Sequence, residues 1–422
     1  MKDAKKILIV GRGAREHALY LAISGSLGVR QVLVAPGNGG IPARDRRDVH
    51  DEDVSGIVAL AERESVDLVV IGPEKPLVLG VVDALEERGI AAFGPHALAA
   101  ELEGSKIFMK TLCSTHGIPT AHWTWVDSYL AARDAIRSWS APPVVKADGL
   151  CGGKGVVVAR TREEALTAAH DMLVREVYGR AGKRIVIEDC LVGRECSLMA
   201  FVRGGEVVPL DLARDYKRVR DGDKGPNTGG MGAYSPLPDV SGALLNEIER
   251  RIMRPLARAM VADGRPYQGL LYAGLMLTEE GPQLLECNVR FGDPETQVLL
   301  PRLTSGILPY LLATRIPSAL SRLGPLVFND GAAVCTVLAS DGYPREYTTG
   351  HNVVGDTECN EHALVFHAGT ERTPSLVTAG GRVMSIVGLG ATIAEARGWS
   401  EAKADGILYG NKIRRRDIAL GV

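Results

Sequence analysis

The chain has 422 residues, 45% of them hydrophobic and 24% charged, which is the composition of a folded protein rather than a disordered or fibrous one. Its 49 Lys and Arg nearly balance its 51 Asp and Glu, so a formal net charge of -2 removes any global electrostatic case for nucleic acid or an anionic membrane. Any anion site must be local, and a chain this long predicts about three domains rather than one core.

The first hundred residues repeat one theme: a short apolar run, a Gly or Pro turn, then a helix-like segment. The runs are Ile7 to Val10, Val32 to Ala35, Leu68 to Ile71 and Ile90 to Phe93, each ending in an unusual turn. Unalternated β-branched runs between helices predict buried parallel strands, and in open parallel sheets ligands collect at the carboxyl ends of the strands. The first turn, from Gly11 through Gly13 to Glu16, begins like a dinucleotide fingerprint. Glu16 stands where a third glycine belongs and no acid closes the second strand, so NAD is disfavoured. What survives is a glycine turn opening a helix, whose free N–H groups suit a phosphate. Asn38 and Glu74, in the next two turns, are candidates for sugar hydroxyls, although Asn is also a good turn former.

From about 104 to 327 the pattern changes to longer strands and Gly-rich loops, with helices expected near 105–116, 162–176, 241–263 and 295–314. The segment from Val144 through Lys146, Gly152, Gly153 and Lys154 to Val157 reads as strand, flexible loop, strand. Residues without Cβ let backbone N–H groups approach phosphates, and a lysine on the strand can reach an α- or β-phosphate. No G-x-x-x-x-G-K-[ST] is present, so this is not a Walker loop; a plain hairpin is the bland alternative. Ile185 to Leu191, containing Glu188 and followed by Glu195, reads as a strand whose continuation can serve a purine through its backbone.

The stretch Arg214-Asp215-Tyr216-Lys217-Arg218 runs into a loop containing Asn227-Thr228-Gly229-Gly230, and glycine density of that order inside a compact domain favours function. Leu284 to Glu295 places Glu286, Asn288 and Arg290 on one face of an expected strand. Glu and Asn oxygens suit Mg2+ held mainly through ATP phosphates, and an adjacent arginine suits a carboxylate or phosphate. A solvent-facing strand is the alternative there. From about 328 onward, strand-like runs at Ala332 to Leu338 and Arg382 to Val387 and a helix over 391–404 suggest a small α+β lobe. The run Arg414-Arg415-Arg416 reads as a solvated face or helix end. Seven cysteines, odd in number and never spaced C-x-x-C, argue against zinc or a disulfide framework and fit a reducing cytoplasm. Ile7 to Val10 is too short for a signal-peptide core, and no run approaches a membrane-spanning length.

Taken together, G-R-G-A-R-E-H-A at 11–18, P-G-N-G-G at 36–40, G-P-E-K-P-L at 72–77, S-K at 105–106, V-V-K-A-D-G-L at 144–150, G-P-N-T-G-G-M-G-A-Y-S-P at 225–236 and N-x-R-F-G-D-P-E-T-Q at 288–297 resemble the phosphoribosylamine glycine ligase family, from Lys6 to about Asp417. The resemblance implies an α/β and α+β multidomain fold: a parallel pre-ATP-grasp domain over 1–103, an ATP-grasp domain over 104–327 with a mobile lid near 123–190, and a C-terminal α+β domain over 328–422. It implies ATP-dependent ligation of glycine to 5-phosphoribosylamine through glycyl phosphate in purine synthesis, with Mg2+ or Mn2+, in a cytoplasmic monomer or weak dimer whose partners are small molecules. It assigns Lys106, Lys146, Gly152, Gly153, Lys154, Glu188, Leu191 and Glu195 to ATP, and Glu286 and Asn288 to the metal. Arg290, Asp215 and Lys217 fall to catalysis, and Gly11, Gly13, Asn38, Glu74, Asn227, Thr228, Gly229 and Gly230 to the other substrates. Two departures from the family pattern stand out, Arg214 and Tyr216 where Gln and His are usual; they are the features that would betray the rival reading, another ATP-grasp carboxylate-amine ligase with the same ATP residues and a different acid or acceptor. A fold-retaining protein without turnover would be expected to lack Lys146, Glu286 or Asn288, and all three are present.

Overall fold

The computed structural model describes residues 4–422. The N-terminal strands β1 (Lys5–Gly11), β2 (Val29–Pro36), β3 (Leu68–Ile71) and β4 (Ala92–Phe93) form a parallel sheet in the order β2-β1-β3-β4. The expected unalternated pattern has its physical reason in the packing: Leu8 and Val10 enter one core while Ile7 and Ile9 enter another, so both faces of β1 are covered.

A second antiparallel sheet, β5 (Trp123–Val126), β6 (Val144–Ala147), β7 (Val156–Val158) and β8 (Ile185–Glu188), is ordered β5-β8-β6-β7 and carries the helices Tyr129–Ser138 and Arg162–Leu173. Its apolar residues, among them Ile136, Val145, Ala169 and Ile187, make a core of their own. The segment from β5 to β8 is therefore a self-contained unit seated on the rest.

The long strands β9 (Arg194–Arg203) and β10 (Glu206–Asp215) belong to the third and largest sheet, and the two short strands β11 (Arg218–Arg220) and β12 (Lys224–Asn227) pair with each other. The large sheet continues with β13 (Gly232–Ser235), β14 (Gln268–Thr278), β15 (Gly281–Asn288), β16 (Ala332–Ser340), β17 (Ala363–His367) and, after the small hairpin β18 (Thr370–Arg372) and β19 (Leu376–Thr378), β20 (Arg382–Gly390) and β21 (Lys412–Ile413). Its order, β15-β14-β9-β10-β13-β16-β20-β17, runs without a break from the central to the C-terminal region, because β13 pairs with β16 over Gly232 to Ser235. Backbone hydrogen bonding thus crosses residue 328, and C-terminal side chains are held rigidly against central loops.

The helices fall at Lys106–His116, Arg162–Leu173 and Ile393–Gly406, and the stretch expected over 241–263 is Gly242–Ile248, a π-helical turn Glu249–Met253 and Arg254–Ala262. The stretch over 295–314 is broken at residues 303–307 between Leu300–Arg302 and Leu308–Ala313. The basic run near the C-terminus needs a correction at two of its three positions: Arg416 is exposed, but Arg414 and Arg415 are not solvated. Arg415 is 1% exposed, paired with Asp223 at 2.7 Å and Asp417 at 2.6 Å, and its guanidinium lies over the Tyr216 ring. Arg414 is buried against Glu401 and Asp405. Asp223, nearly two hundred residues away, joins Asp417 and two acids of the preceding helix to make that burial tolerable.

Candidate active site

Between the small antiparallel sheet and the large one lies a cleft of about 800 Å³. The smaller sheet contributes the β6–β7 hairpin. Asp148, the acid of K-A-D-G-L, fixes the hairpin to the next wall: its carboxylate accepts from Ser105 Oγ and from the Ile107 N–H, each at 2.9 Å, and from Arg184 at 2.7 Å. Ser105 in turn caps the helix that starts at Lys106. The S-K pair and the K-A-D-G-L strand are thereby parts of one joint, and Lys106 Nζ reaches the Gly149 carbonyl at 3.3 Å.

Lys146 projects from β6 onto Glu188 of β8 at 2.5 Å and the Leu285 carbonyl at 3.2 Å. A second lysine that sequence reasoning overlooked, Lys110, meets the other oxygen of Glu188 at 2.5 Å and Thr120 at 2.6 Å. Its signal was its spacing, one helical turn after Lys106. Burial alone would raise the Glu188 carboxyl, but Lys146 and Lys110 outweigh it and hold it below the ordinary range. One anion beneath two cations leaves a net positive floor under any nucleotide phosphate.

Across the cleft, β15 presents Glu286 and Asn288 and ends there, so Arg290 lies just past the strand rather than on it. All three still face the cavity. Arg290 is held by Glu74 and Glu103, each at 3.2 Å. Burial opposes its charge, and those two acids more than restore it. Glu103, also overlooked in the sequence, accepts the Val289 N–H at 2.7 Å, and burial lifts its carboxyl to about 7. Lys217 stands 3.4 Å from both Glu195 and Glu286. The ammonium of Lys217 holds the Glu286 carboxyl at about 2 against burial, which would raise it, and Lys146 and Lys106 add to the pull, so it is an anion at neutral pH. Asp215, on β10, goes the other way: burial lifts it to about 7 against the pull of Lys217.

Sixteen of the residues expected at the site line this one cleft: Glu74, Lys106, Lys146, Gly152, Gly153, Glu188, Leu191, Glu195, Asp215, Lys217, Asn227, Thr228, Gly229, Glu286, Asn288 and Arg290. Gly11, Gly13, Asn38, Lys154 and Gly230 are not among its lining. Gly13 does not offer a free N–H, because Glu16 accepts it at 2.6 Å. Asn38 gives its amide to the carbonyls of Arg12 at 2.9 Å and His367 at 2.7 Å, so a sugar contact would require it to abandon the chain's own backbone. Lys154 is exposed beyond the rim. Arg15, donating to the Phe291 carbonyl at 3.1 Å, joins the lining without having been singled out in the sequence.

The two departures are tied into the fold. Arg214 is spent on Asp239 at 2.9 Å, the Tyr234 hydroxyl at 2.6 Å and the Glu195 carbonyl at 2.7 Å. The Tyr216 hydroxyl accepts the Ala419 N–H at 2.9 Å. Among the described residues no cluster of three or more His, Cys, Asp or Glu side chains is arranged for a metal. The anionic Glu286 beside Asn288 fits instead a divalent ion that takes its remaining oxygens from a nucleotide.

A lysine-bearing hairpin sheet facing a large sheet that ends in Glu-x-Asn defines the ATP-grasp class, and comparison with known proteins agrees. Descriptions of phosphoribosylglycinamide synthetase match the chain in three consecutive parts: the N domain at 5–103, the ATP-grasp (A) domain at 104–296 and the C domain at 333–421. The chain belongs to the phosphoribosylglycinamide synthetase family. It is 44% identical over 421 residues to a phosphoribosylamine–glycine ligase of Halalkalibacterium halodurans, covering 98% of this chain and 97% of that one. A ligase of the same name from Allochromatium vinosum is 46% identical with the same coverage. The crystal structure of the Thermotoga maritima phosphoribosylamine–glycine ligase superposes with a TM-score of 0.84 at 34% identity, over 98% of this chain and 100% of that one. A biotin carboxylase domain from Hydrogenobacter thermophilus, 18% identical with a TM-score of 0.72, shares the fold, covering 97% of this chain and 91% of that one.

Proposed function

We infer that the chain joins glycine to 5-phosphoribosylamine at the expense of ATP, giving glycinamide ribonucleotide, ADP and phosphate, as a step of purine synthesis. The observation that carries this reading is the gathering of Lys106, Lys146, Glu286, Asn288 and Arg290 around one cleft in a member of this family. A carboxylate is a poor electrophile until phosphorylated, so one glycine oxygen attacks the γ-phosphorus and ADP leaves. The amine of phosphoribosylamine then attacks the carbonyl carbon, phosphate departs and the nitrogen loses a proton. Such transfers need positioning and charge neutralisation more than a strong base.

In this reading Lys106, Lys146, Gly152 and Gly153 hold ATP phosphates, Lys154 joins them from the exposed hairpin turn when the lid closes, Leu191 meets the purine through its backbone, Glu195 the ribose, and Glu188 aims Lys146. Glu286 and Asn288 hold Mg2+ or Mn2+, which supplies charge neutralisation at the transferring phosphoryl group. Arg290 and Lys217 stabilise the reacting carboxylate and phosphate, and Asp215, with its carboxyl lifted by burial to about 7, is the candidate acceptor of the released proton. Glu74 and the 227–230 turn contact the acceptor, while Gly11, Gly13 and Asn38 shape its end of the cleft from behind. The separate core of the β5–β8 unit supports its closing as a lid over 123–190, with 1–103, 104–327 and 328–422 as the three domains. Among the described residues no helix is long and apolar enough to cross a membrane. A cytoplasmic monomer or weak dimer acting on small molecules fits the reading.

The test is ADP release from ATP and Mg2+ with glycine, with and without freshly generated phosphoribosylamine, beside Glu286→Ala. Turnover that needs both substrates and is lost in the variant is expected. Turnover with another amino acid or amine, and none with this pair, overturns the substrate assignment.

A further inference from the structure

The stretch 225–232 is dense in glycine, yet its turn at Thr228-Gly229-Gly230 is tied down from the C-terminal region. Arg382, the first residue of β20, donates from Nη1 to the Gly229 carbonyl at 2.6 Å and the Asp293 carbonyl at 2.8 Å, and from Nη2 to the Asp293 carboxylate at 2.8 Å. The Tyr343 hydroxyl accepts the Gly229 N–H at 3.0 Å. The glycines are what allow this: a Cβ on Gly229 would sit 3.0 Å from the Arg382 guanidinium carbon. One on Gly230 would overlap Pro294.

The clamped turn has two neighbours that matter to chemistry. Thr228 donates to the Lys217 carbonyl from its N–H at 2.8 Å and its hydroxyl at 2.9 Å, and Lys217 carries its ammonium to Glu286. From the other side, a Cβ on Gly153 would meet the Thr228 carbonyl at 3.1 Å, so the phosphate loop of the lid rests on the same turn.

We propose that Arg382, assisted by Tyr343, is a positioning residue for phosphoryl and acyl transfer, fixing the 228–230 turn that sets Lys217 against Glu286 and receives the closing glycine loop. This rests on the ligase reading above. An apolar side chain at 382 leaves the Gly229 and Asp293 carbonyls and a carboxylate without their donor, and a lysine cannot reproduce the planar fork that serves them together.

Steady-state kinetics and amide hydrogen exchange on full-length Arg382→Met, Arg382→Lys and Tyr343→Phe test it. Arg382→Met is expected to lower kcat about 100-fold while the equilibrium affinity for MgATP changes less than about threefold, with partial recovery in Arg382→Lys and a smaller loss in Tyr343→Phe. Amides of 224–236 should exchange faster in Arg382→Met, and those of β14 and β15 should not. Wild-type kcat in Arg382→Met, or a loss of ATP affinity in parallel with kcat, overturns the proposal, as does faster exchange across the whole central sheet. If Arg382→Met does not fold, Tyr343→Phe carries the same comparison. Lack of turnover by the wild type with this substrate pair counts against the ligase reading alone, because the exchange measurement needs no substrate.

Discussion

Lys217 Nζ and Glu286 Oε1 face each other at 3.4 Å in the wall of the cleft, with Glu195 at the same distance from the ammonium. Burial by itself would discharge Lys217, but Glu286, Asp215 and Glu195 keep it well above the ordinary lysine range. A carboxylate fitted for a divalent cation is thus already balanced by a fixed cation from the chain.

Lys217→Met should therefore damage transfer more than binding. Loss of one preorganised cation at the reacting phosphoryl group costs on the order of 100-fold in kcat. Titration of Mn2+ into the variant with ATP should show unchanged or tighter metal binding, because the competing ammonium is gone. Weaker metal binding at unchanged kcat is the opposite result.

The Lys110–Glu188–Lys146 group supports a stability prediction, since Glu188 and Lys110 are almost completely buried. Glu188→Gln leaves two lysine charges with no anion between them and should cost about 3–5 kcal/mol of folding free energy. Lys110→Met leaves the Lys146–Glu188 pair intact and should cost clearly less. Urea denaturation of the two variants ranks them, and equal losses would mean that Lys110 is needed as much as the shared carboxylate.

A pH dependence follows from the seam between the N-terminal and C-terminal regions. The His17 ring nitrogen Nδ1 accepts the His367 N–H at 2.8 Å, and His367 Nδ1 lies 3.1 Å from Thr370 Oγ1. Burial, with His367 adding to it, lowers His17 to about 3; burial and Arg372 lower His367 to about 4. Both start from 6.5 when unfolded, so as pH falls from there toward 4 and 3 the unfolded chain takes up protons that the folded protein excludes. Their stabilising contribution is complete above about pH 6.5 and is lost as pH drops through that window. The melting temperature should fall between about pH 7 and pH 5, and His17→Asn, which keeps an acceptor near Nδ1, should flatten that slope. Equal slopes in the two proteins would remove His17 as a cause.

Much of this was legible from local pattern. Ile7 to Val10 and its three companions announced a parallel sheet because a strand covered on both faces cannot alternate. Lys146 and the glycines after it, and Glu286 with Asn288, could be picked out because phosphate and metal chemistry restrict which side chains serve at close spacing. The three-part family likeness rests on motifs of that kind, each contiguous in the chain.

What only the tertiary structure decided concerns partners that lie far apart in sequence. Asn38 looked like a sugar ligand, but its amide is taken by His367, a pairing no local rule contains. Arg415 looked like a solvated charge until Tyr216 and Asp223 closed around it. The Arg214 departure became a contact to Asp239 once the fold brought the two together. Glu103 and Arg382 carried no motif, and their importance comes from a buried arginine and a glycine turn delivered by other elements. Chain order sets short-range periodicity, turn chemistry and the identity of reactive groups; which charges neutralise one another, and which glycines make room for them, is settled by packing between segments hundreds of residues apart.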